Sequence, residues 1–177
     1  MQYITYYESP LGRIMLATDD IGLTGLWFEG QRYFALHLDE DHQEKCSEIL
    51  SKTKEWLDVY FSGNEPSFTP PLHVTGSSFF RSVSSIVCSI PYGKTMTYGE
   101  IAKLVASQRG DETMSARAVG GAVGHNEISI IIPCHRVVGA GGNLTGYAGG
   151  IDRKIQLLKL EGVDVSQFRI SKKGTAL

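Results

Sequence analysis

Short apolar stretches alternate with turn-forming residues over the first thirty positions of the chain. Each stretch is rich in β-branched and aromatic residues, and Gly, Pro or Asp separates it from the next, which predicts an antiparallel meander. Strands are expected at 2–8, 13–18 and 23–28. From 42 to 61 apolar residues recur near helical spacing and Gly63 follows them, so we expect a helix that covers one face of the sheet.

Helical spacing dominates the chain after a proline-containing connection at 64–75. A first helix is expected directly after it, and Thr97 with Glu100 three positions later forms a capping-box pattern that predicts a second. After a polar linker at 107–112, a third helix is expected from 113 towards 124. The second and third helices are spaced as in a helix-turn-helix motif, although many pairs of short helices bind nothing.

A short polar insert divides two runs of β-branched residues, 130–132 and 137–138, which predict buried strands. Pro133 has a fixed φ and no N–H, so we expect the chain to leave the sheet there and to present Cys134 at a rigid turn. Six glycines follow between 139 and 150 and favour close approach of the backbone to a flat ligand.

The last predicted helix starts at Asp152 and ends at Gly162, before a polar final segment that predicts a strand or a loose tail. Taken together, the pattern predicts an α+β fold in two domains. The domain at 1–75 contains the antiparallel sheet and its covering helix. The domain at 76–177 is mostly helical and contains the helix-turn-helix and the cysteine turn.

The formal net charge of −2 hides an uneven distribution of charge along the chain. The range 1–75 holds 5 Lys and Arg against 12 Asp and Glu, a net charge of −7, whereas 76–177 holds 12 against 7, a net charge of +5. A basic domain suits contacts with phosphate, and ordinary scatter of surface charge is the alternative. With 42% hydrophobic residues, the chain is able to bury a core without stabilisation by disulfide bonds or a structural metal.

The three cysteines, Cys46, Cys88 and Cys134, are an odd number at wide spacings and form no CxxC pair. A disulfide framework is therefore not expected, which suits a reducing compartment. The N-terminus lacks the basic region and apolar run of a signal peptide, and no stretch approaches the length of a membrane span. We therefore expect a cytoplasmic protein with no membrane association. Cys46 and the histidines of the first domain lack tight ligand spacing, so no metal is expected.

Cys134 stands before two side chains that can carry positive charge, His135 and Arg136. A cysteine reacts as its thiolate, and neighbouring cationic groups favour this form. The common alternative is a buried structural cysteine, because free cysteine packs as a small apolar side chain. The four residues from Pro133 to Arg136 do not by themselves decide between the two.

Longer segments on both sides of the cysteine decide the question. The sequence ARAVGGAVGHN occupies 116–126, IPCHRV occupies 132–137, and GYAGG and LLKLEG follow at 146–150 and 157–162. In this order they resemble the O6-alkylguanine-DNA alkyltransferases, also called methylated-DNA–protein-cysteine methyltransferases. The resemblance is strong over about 79–162, and the earlier residues match only in general character.

The resemblance implies a set of catalytic residues around Cys134, the residue that accepts the alkyl group. Adjacent side chains on extended backbone point apart, so His135 is implied to act as a base through a bridging water. Glu161 is implied to fix the tautomer of His135, and Tyr98 to donate a proton or hydrogen bond to guanine N3 as the base leaves. Asn126 is implied to brace the cysteine turn.

The resemblance also implies contacts with the guanine and the DNA. Arg117 corresponds to an arginine that fills the space of a base extruded from the duplex. The carbonyls of Cys134 and Val137 would face the exocyclic amine of guanine, and Tyr147 would wall the pocket. At Ala148 many relatives have serine; alanine keeps the backbone N–H that contacts O6 but has no hydroxyl, which puts the substrate preference in doubt.

The implied activity is direct repair of duplex DNA. An alkyl group passes irreversibly from O6-alkylguanine, and also from O4-methylthymine, to Cys134 once per molecule, after the base flips out through the minor groove. No cofactor is implied, double-stranded DNA containing O6-alkylguanine is the partner, and a monomer is expected. Three alternatives match the sequence less well. Damage sensors of this family lack the nucleophile, which is present here as Cys134. Regulators that use an alkylated cysteine as a signal usually carry additional modules, and a cysteine hydrolase requires an oxyanion hole that the sequence does not specify.

Overall fold

The computed structural model describes residues 1–170, which form two compact units. The first unit contains Met1–Thr75 together with Glu127–Ile131, and the second contains Gly76–Asn126 and continues from Ile132. Residues 127–131, expected in the second domain, thus group with the first unit. The division of the chain into domains at 1–75 and 76–177 stays a prediction.

The first unit is built on a sheet of four strands, β1 (Gln2–Ser9), β2 (Gly12–Thr18), β3 (Leu23–Phe28) and β4 (His42–Glu44). Their order in the sheet is β3-β2-β1-β4. The first three strands form the predicted antiparallel meander, in which Tyr6 pairs with Met15. β4 pairs in parallel with β1, so the sheet is mixed.

The helix predicted over 42–61 begins later than expected. It is α1 (Glu48–Phe61), and it starts where the side chain of Ser47 accepts a hydrogen bond from Leu50 N at 3.3 Å. The three residues of β4 are exposed, so the apolar periodicity of the helix does not reach them. α1 packs on β1 and β2 and thereby covers one face of the sheet, as predicted.

A segment from later in the chain lies beside β3. Leu26 N donates a hydrogen bond to Glu127 O at 2.8 Å, and Ser129 N donates one to Leu26 O at 3.0 Å. The strand predicted at 130–132 is wrong, although all three isoleucines are buried. Ile130 has φ +67°, a left-handed value that breaks an extended chain, so the β-branched run indicates burial correctly but not a strand.

The second unit is mostly helical, as predicted. Its helices are α2 (Ser78–Cys88), α3 (Tyr98–Arg109), α4 (Ala116–Gly124) and α5 (Ile151–Leu160). Its short strands are β5 (Met96–Thr97), β6 (Val137–Val138), β7 (Asn143–Leu144) and β8 (Arg169–Ile170). β6 directly follows a 3-10 turn at Cys134–Arg136 and pairs in parallel with β5, while β7 pairs in parallel with β8.

Helices α2, α3 and α4 pack against one another. α3 begins with the predicted capping box: Thr97 N donates to Glu100 Oε2 at 2.7 Å, and Glu100 N donates to Thr97 Oγ1 at 3.1 Å. α4 begins at Ala116 rather than at 113, because the side chain of Ser115 caps it there. Whether α3 and α4 act as a helix-turn-helix stays a prediction.

α5 is the last predicted helix, and Gly162 follows it with φ +81°, which glycine adopts readily. Leu157 and Leu158 form its buried face and are inaccessible to solvent. The final strand is present as β8, and the rest of that predicted segment, 171–177, lies outside the described residues. No helix within residues 1–170 is long and apolar enough to cross a bilayer.

Candidate active site

Cys134 opens the 3-10 turn that follows Pro133, and only 5% of the residue is exposed. Two backbone hydrogen bonds close the turn, from Cys134 N to Ile132 O at 2.8 Å and from Arg136 N to Pro133 O at 2.9 Å. The cysteine therefore stands on a tight, internally bonded turn.

Asn126 braces the sulfur of Cys134. Its Nδ2 donates to Cys134 Sγ at 3.1 Å and to Ile132 O at 2.9 Å, so a single amide group serves the cysteine turn twice. Burial raises the pKa of the Cys134 thiol, and the hydrogen bond from Asn126 and the charge of Lys154 only partly offset burial. The resting group is therefore a thiol, and a base is required to make it a nucleophile.

His135, Glu161 and Arg136 form a buried row beside the thiol. His135 Nε2 lies 2.6 Å from Glu161 Oε2, and Arg136 Nε donates to Glu161 Oε1 at 2.6 Å. The side chains of His135 and Glu161 are inaccessible to solvent. Because a carboxylate only accepts, Nε2 of His135 carries a hydrogen, and the lone pair of a neutral imidazole lies on Nδ1. Arg136, expected only as a neighbouring cation, thereby joins the site.

The charges within this row are set by burial and by the neighbours. Burial would raise the pKa of Glu161, but hydrogen bonds and charges from His135 and Arg136 outweigh it and lower that pKa. Burial lowers the pKa of His135; Glu161 opposes the shift, and the charges of Arg136 and Lys154 add to it. At neutral pH the row therefore contains a carboxylate, a guanidinium and a neutral imidazole, the form that accepts a proton.

Lys154 also lies at the candidate site, although it is not among the candidates expected from the sequence. It lies in α5 with none of its surface exposed, and its Nζ donates to Val137 O at 2.6 Å and to Thr145 O at 2.9 Å. Burial lowers the pKa of its ammonium to about 8. A lysine in a surface helix is usually solvated. The feature of the sequence that could indicate its burial is its spacing, because Leu157 and Leu158 follow it by three and four positions and share its helix face.

The two candidate tyrosines lie in the same unit. Tyr98, the first residue of α3, is 8% exposed. Burial raises the pKa of its phenol, Thr145 opposes this and Cys134 adds to it, so Tyr98 keeps its proton at neutral pH. The ring of Tyr147 meets the ring of His135 edge-on, with centroids 6.5 Å apart and planes at 78°. Tyr147 therefore contacts the cysteine turn, and Tyr98 is close enough to Cys134 for a thiolate there to raise its pKa.

The remaining candidates differ in their surroundings. The carbonyl of buried Val137, expected to face guanine, already accepts a hydrogen bond from Lys154. Ala148 is half-buried, and Arg117 is exposed in the first turn of α4 and does not join the buried row. A groove of about 520 Å³ lies between α3 and the residues that lead into α4, up to Ala116.

Possible metal ligands are dispersed over the first unit. His37 Nδ1 lies 2.8 Å from Glu127 Oε1, and His73 Nδ1 lies 2.6 Å from Asp19 Oδ2. In the part of the chain from 1 to 170, no three or more His, Cys, Asp or Glu side chains are grouped so that they could hold a metal ion.

Family models match almost the whole chain. The ribonuclease-like domain of 6-O-methylguanine DNA methyltransferase matches residues 2–74, and the DNA binding domain of the same family matches residues 78–163. A methylated-DNA–protein-cysteine methyltransferase from Methanosarcina acetivorans is 43% identical over 161 residues, which are 90% of this chain and 98% of the relative. One from Haemophilus influenzae is 37% identical over 162 residues, which are 91% and 87% of the two chains.

Solved structures share the fold. Mycobacterium tuberculosis OGT, crystallised in complex with DNA, aligns with a TM-score of 0.77 at 38% identity and covers 94% of each chain. Mycobacterium tuberculosis O6-methylguanine methyltransferase aligns with a TM-score of 0.76 at 41% identity, over 91% of this chain and 93% of that one. These findings confirm both the α+β fold and the resemblance in the sequence. The chain belongs to the 6-O-methylguanine DNA methyltransferase family.

Proposed function

We propose that this chain repairs double-stranded DNA by moving an alkyl group from O6 of guanine to Sγ of its own Cys134. The observation that carries the proposal is a buried thiol held by Asn126 on the same 3-10 turn as His135, which pairs with buried Glu161. The name of the relatives, methylated-DNA–protein-cysteine methyltransferase, supports the reaction class. The complex of Mycobacterium tuberculosis OGT with DNA supports DNA as the partner.

The transfer begins with the removal of a proton from Cys134. Cys134 and His135 are consecutive residues of a 3-10 turn rather than of extended backbone, and the turn points their side chains about 120° apart. The proton therefore passes through a water molecule to Nδ1 of His135, while Nε2 keeps its hydrogen and donates it to Glu161. The thiolate attacks the carbon attached to O6, so that an S–C bond forms and the C–O6 bond breaks. The electron pair of the broken bond goes to the base, which takes up a proton and becomes guanine.

Tyr98 neutralises the charge that develops on the base. Its phenol carries a proton at neutral pH, as phenols ordinarily do, and burial raises its pKa further; it donates to N3 as the C–O6 bond breaks. The Val137 carbonyl accepts from the exocyclic amine through the lone pair that Lys154 does not use, and the carbonyl of the nucleophilic cysteine does the same. Tyr147 walls the pocket, and the backbone N–H of Ala148 contacts O6.

DNA contacts are assigned to the helix-turn-helix of α3 and α4. O6 of guanine lies inside the duplex, so the base leaves the stack through the minor groove before it reacts. Arg117, exposed in the first turn of α4, fills the space that the base vacates. Small residues on the accessible side of the same helix permit close approach to the DNA backbone; they are Ala116, Ala118 and Gly121, whereas Gly120, expected with them, is buried.

The reaction is irreversible and stoichiometric. Alkylated Cys134 is a thioether, a poor leaving position for hydrolysis, and none of the residues described in the site has a role in removing it. One molecule therefore repairs one base. The requirement for a reduced thiol suits the cytoplasm, and a site built within one chain suits a monomer. O4-methylthymine presents the same alkyl–oxygen bond and is proposed as a second substrate.

Intact-protein mass spectrometry after incubation with duplex DNA containing O6-methylguanine tests the proposal. We expect a gain of one methyl group per chain, mapped by proteolysis to Cys134. Cys134→Ala is expected to gain none, whereas Cys88→Ser, which changes an exposed cysteine of the same unit, is expected to gain one as the wild type does. Methylation of C134A, or a wild type that gains nothing, would overturn the proposal.

A further inference from the structure

Arg136 is the third member of the buried row, and the transfer described above assigns it no step. Its Nε donates to Glu161 Oε1 at 2.6 Å, and its Nη1 donates to Ile90 O at 2.7 Å. The guanidinium lies over the ring of Tyr92, 5.7 Å from the centroid, and the arginine side chain is 10% exposed. Charged side chains are seldom buried to this degree unless their charge is paired.

Glu161 lies between two groups, each of which can neutralise its charge. Oε2 faces Nε2 of His135, whereas Oε1 receives Nε of Arg136 and also forms an ion pair with its Nη2. With the guanidinium in place, the carboxylate is balanced, and a proton on His135 would give the buried row a net positive charge. Without the guanidinium, an imidazolium would become the adjacent cationic partner of the carboxylate, and its formation would be favoured.

We propose that Arg136 is a positioning residue that takes up the charge of Glu161 and thereby keeps the resting imidazole of His135 neutral, ready to receive the proton of Cys134. The catalytic consequence rests on the proposed alkyl transfer. The effect of Arg136 on the protonation of His135 concerns the protein alone, so it is testable without DNA.

Other charged and titratable groups also face His135. Lys154 of α5 adds positive charge, Glu161 at the end of α5 adds negative charge, Tyr147 meets the edge of the ring, and the thiol precedes it in the turn. Burial lowers the pKa of His135, and the charges of Arg136 and Lys154 act in the same direction. Arg136 also contacts the carboxylate, so its loss removes both effects together.

The competing explanation is a mechanical one, in which Arg136 only fastens the end of α5 to the cysteine turn and to Ile90. A clamp of this kind would change the reaction rate equally at all pH values. A group that balances the charge of Glu161 would instead move the pH at which His135 becomes protonated. The titration of His135 therefore separates the two explanations.

The test is a ¹⁵N NMR titration of the histidine side chains in the full chain. The chain has 5 histidines, and the four outside the site are internal references. In the wild type we expect His135 to become protonated only at a lower pH than an unperturbed histidine, and its neutral ring to carry the hydrogen on Nε2. A wild-type His135 that becomes protonated at or above the pH of an unperturbed histidine would overturn the inference, even if no variant of Arg136 folds.

Two variants refine the test. In Arg136→Gln, which loses the charge, we expect the midpoint of His135 to rise by about one pH unit, a tenfold change in the ratio of protonated to neutral imidazole. Arg136→Lys keeps the charge and is expected to keep the wild-type midpoint. The control is Arg13→Gln, which breaks an exposed pair of an arginine with Glu8 and is expected to leave the titration unchanged. An unshifted midpoint in R136Q would support the clamp and refute the inference.

The rate of methyl transfer from DNA, measured against pH, connects the inference to the reaction. Its acid limb is expected to move with the midpoint of His135 in R136Q. A wild type that transfers nothing but titrates as expected would remove the proposed function and leave the inference about Arg136 intact. A wild type that transfers the methyl group normally but has a protonated His135 would leave the proposed function intact and remove the inference about Arg136.

Discussion

Because the ammonium of Lys154 is buried, the stability of the protein changes with pH in the alkaline range. Its pKa is about 8 in the folded chain, against 10.5 for an unperturbed lysine. Between these two values the unfolded chain binds more protons than the folded chain, so the free energy of unfolding rises with pH. From about pH 7 to about pH 9.5 this one group adds about 2 kcal/mol to the stability of the wild type.

Lys154→Met has no proton to lose and is expected to lack this gain. Urea unfolding at the two pH values, followed by circular dichroism, measures the effect. The free energy of unfolding of the wild type minus that of K154M is expected to increase by about 2 kcal/mol as the pH rises. The matched control is Lys159→Met, which changes an exposed lysine of the same helix and is expected to show a constant difference. If the K154M difference is also constant, the ammonium is not held at a lowered pKa.

Three further predictions concern individual hydrogen bonds and contacts. Asn126→Ala removes the N–H that lies 3.1 Å from the sulfur of Cys134, so the thiol pKa rises further and single-turnover methyl transfer at neutral pH is expected to slow about tenfold; an unchanged rate would contradict the bracing role. Arg117→Ala is expected to slow transfer from duplex DNA but not from a free alkylated guanine, and equal losses on both would contradict a role in extruding the base. Thr97→Ala removes the side-chain cap of α3 and is expected to lower the free energy of unfolding by about 1 kcal/mol in thermal melts, whereas Thr113→Ala, at an exposed position before α4, is the neutral control.

Much of the first unit could be predicted because its signals are local. Alternating apolar residues and turn residues mark β1, β2 and β3, and helical spacing marks α1. β4 could not be predicted, because its three exposed residues carry no apolar pattern and pair with a strand about forty positions earlier. Ile130 also contradicts its local preference: β-branched residues favour strands, but the turn before Pro133 holds it at a positive φ.

The residues of the candidate site also differ in how well they could be predicted from the sequence. Cys134, His135 and Glu161 could be found because they stand in motifs that keep their order and spacing. The roles of Arg136 and Lys154 could not, because they depend on which carboxylate and which carbonyls surround each side chain in three dimensions. Helix spacing indicates the buried face for Lys154, but it does not indicate the acceptors that make a buried cation tolerable.

The segment 127–131 beside β3 also has a consequence for synthesis on the ribosome. β3 is an edge strand, and Leu26 uses its N–H and its carbonyl to bind this segment, which emerges only after α2, α3 and α4 have been made. Until then the nascent first unit exposes part of a sheet edge, although Leu72 already pairs with Leu23. An open edge is a template for strand addition between molecules, so a fragment that ends at residue 75 would carry an aggregation hazard from which the whole chain is protected.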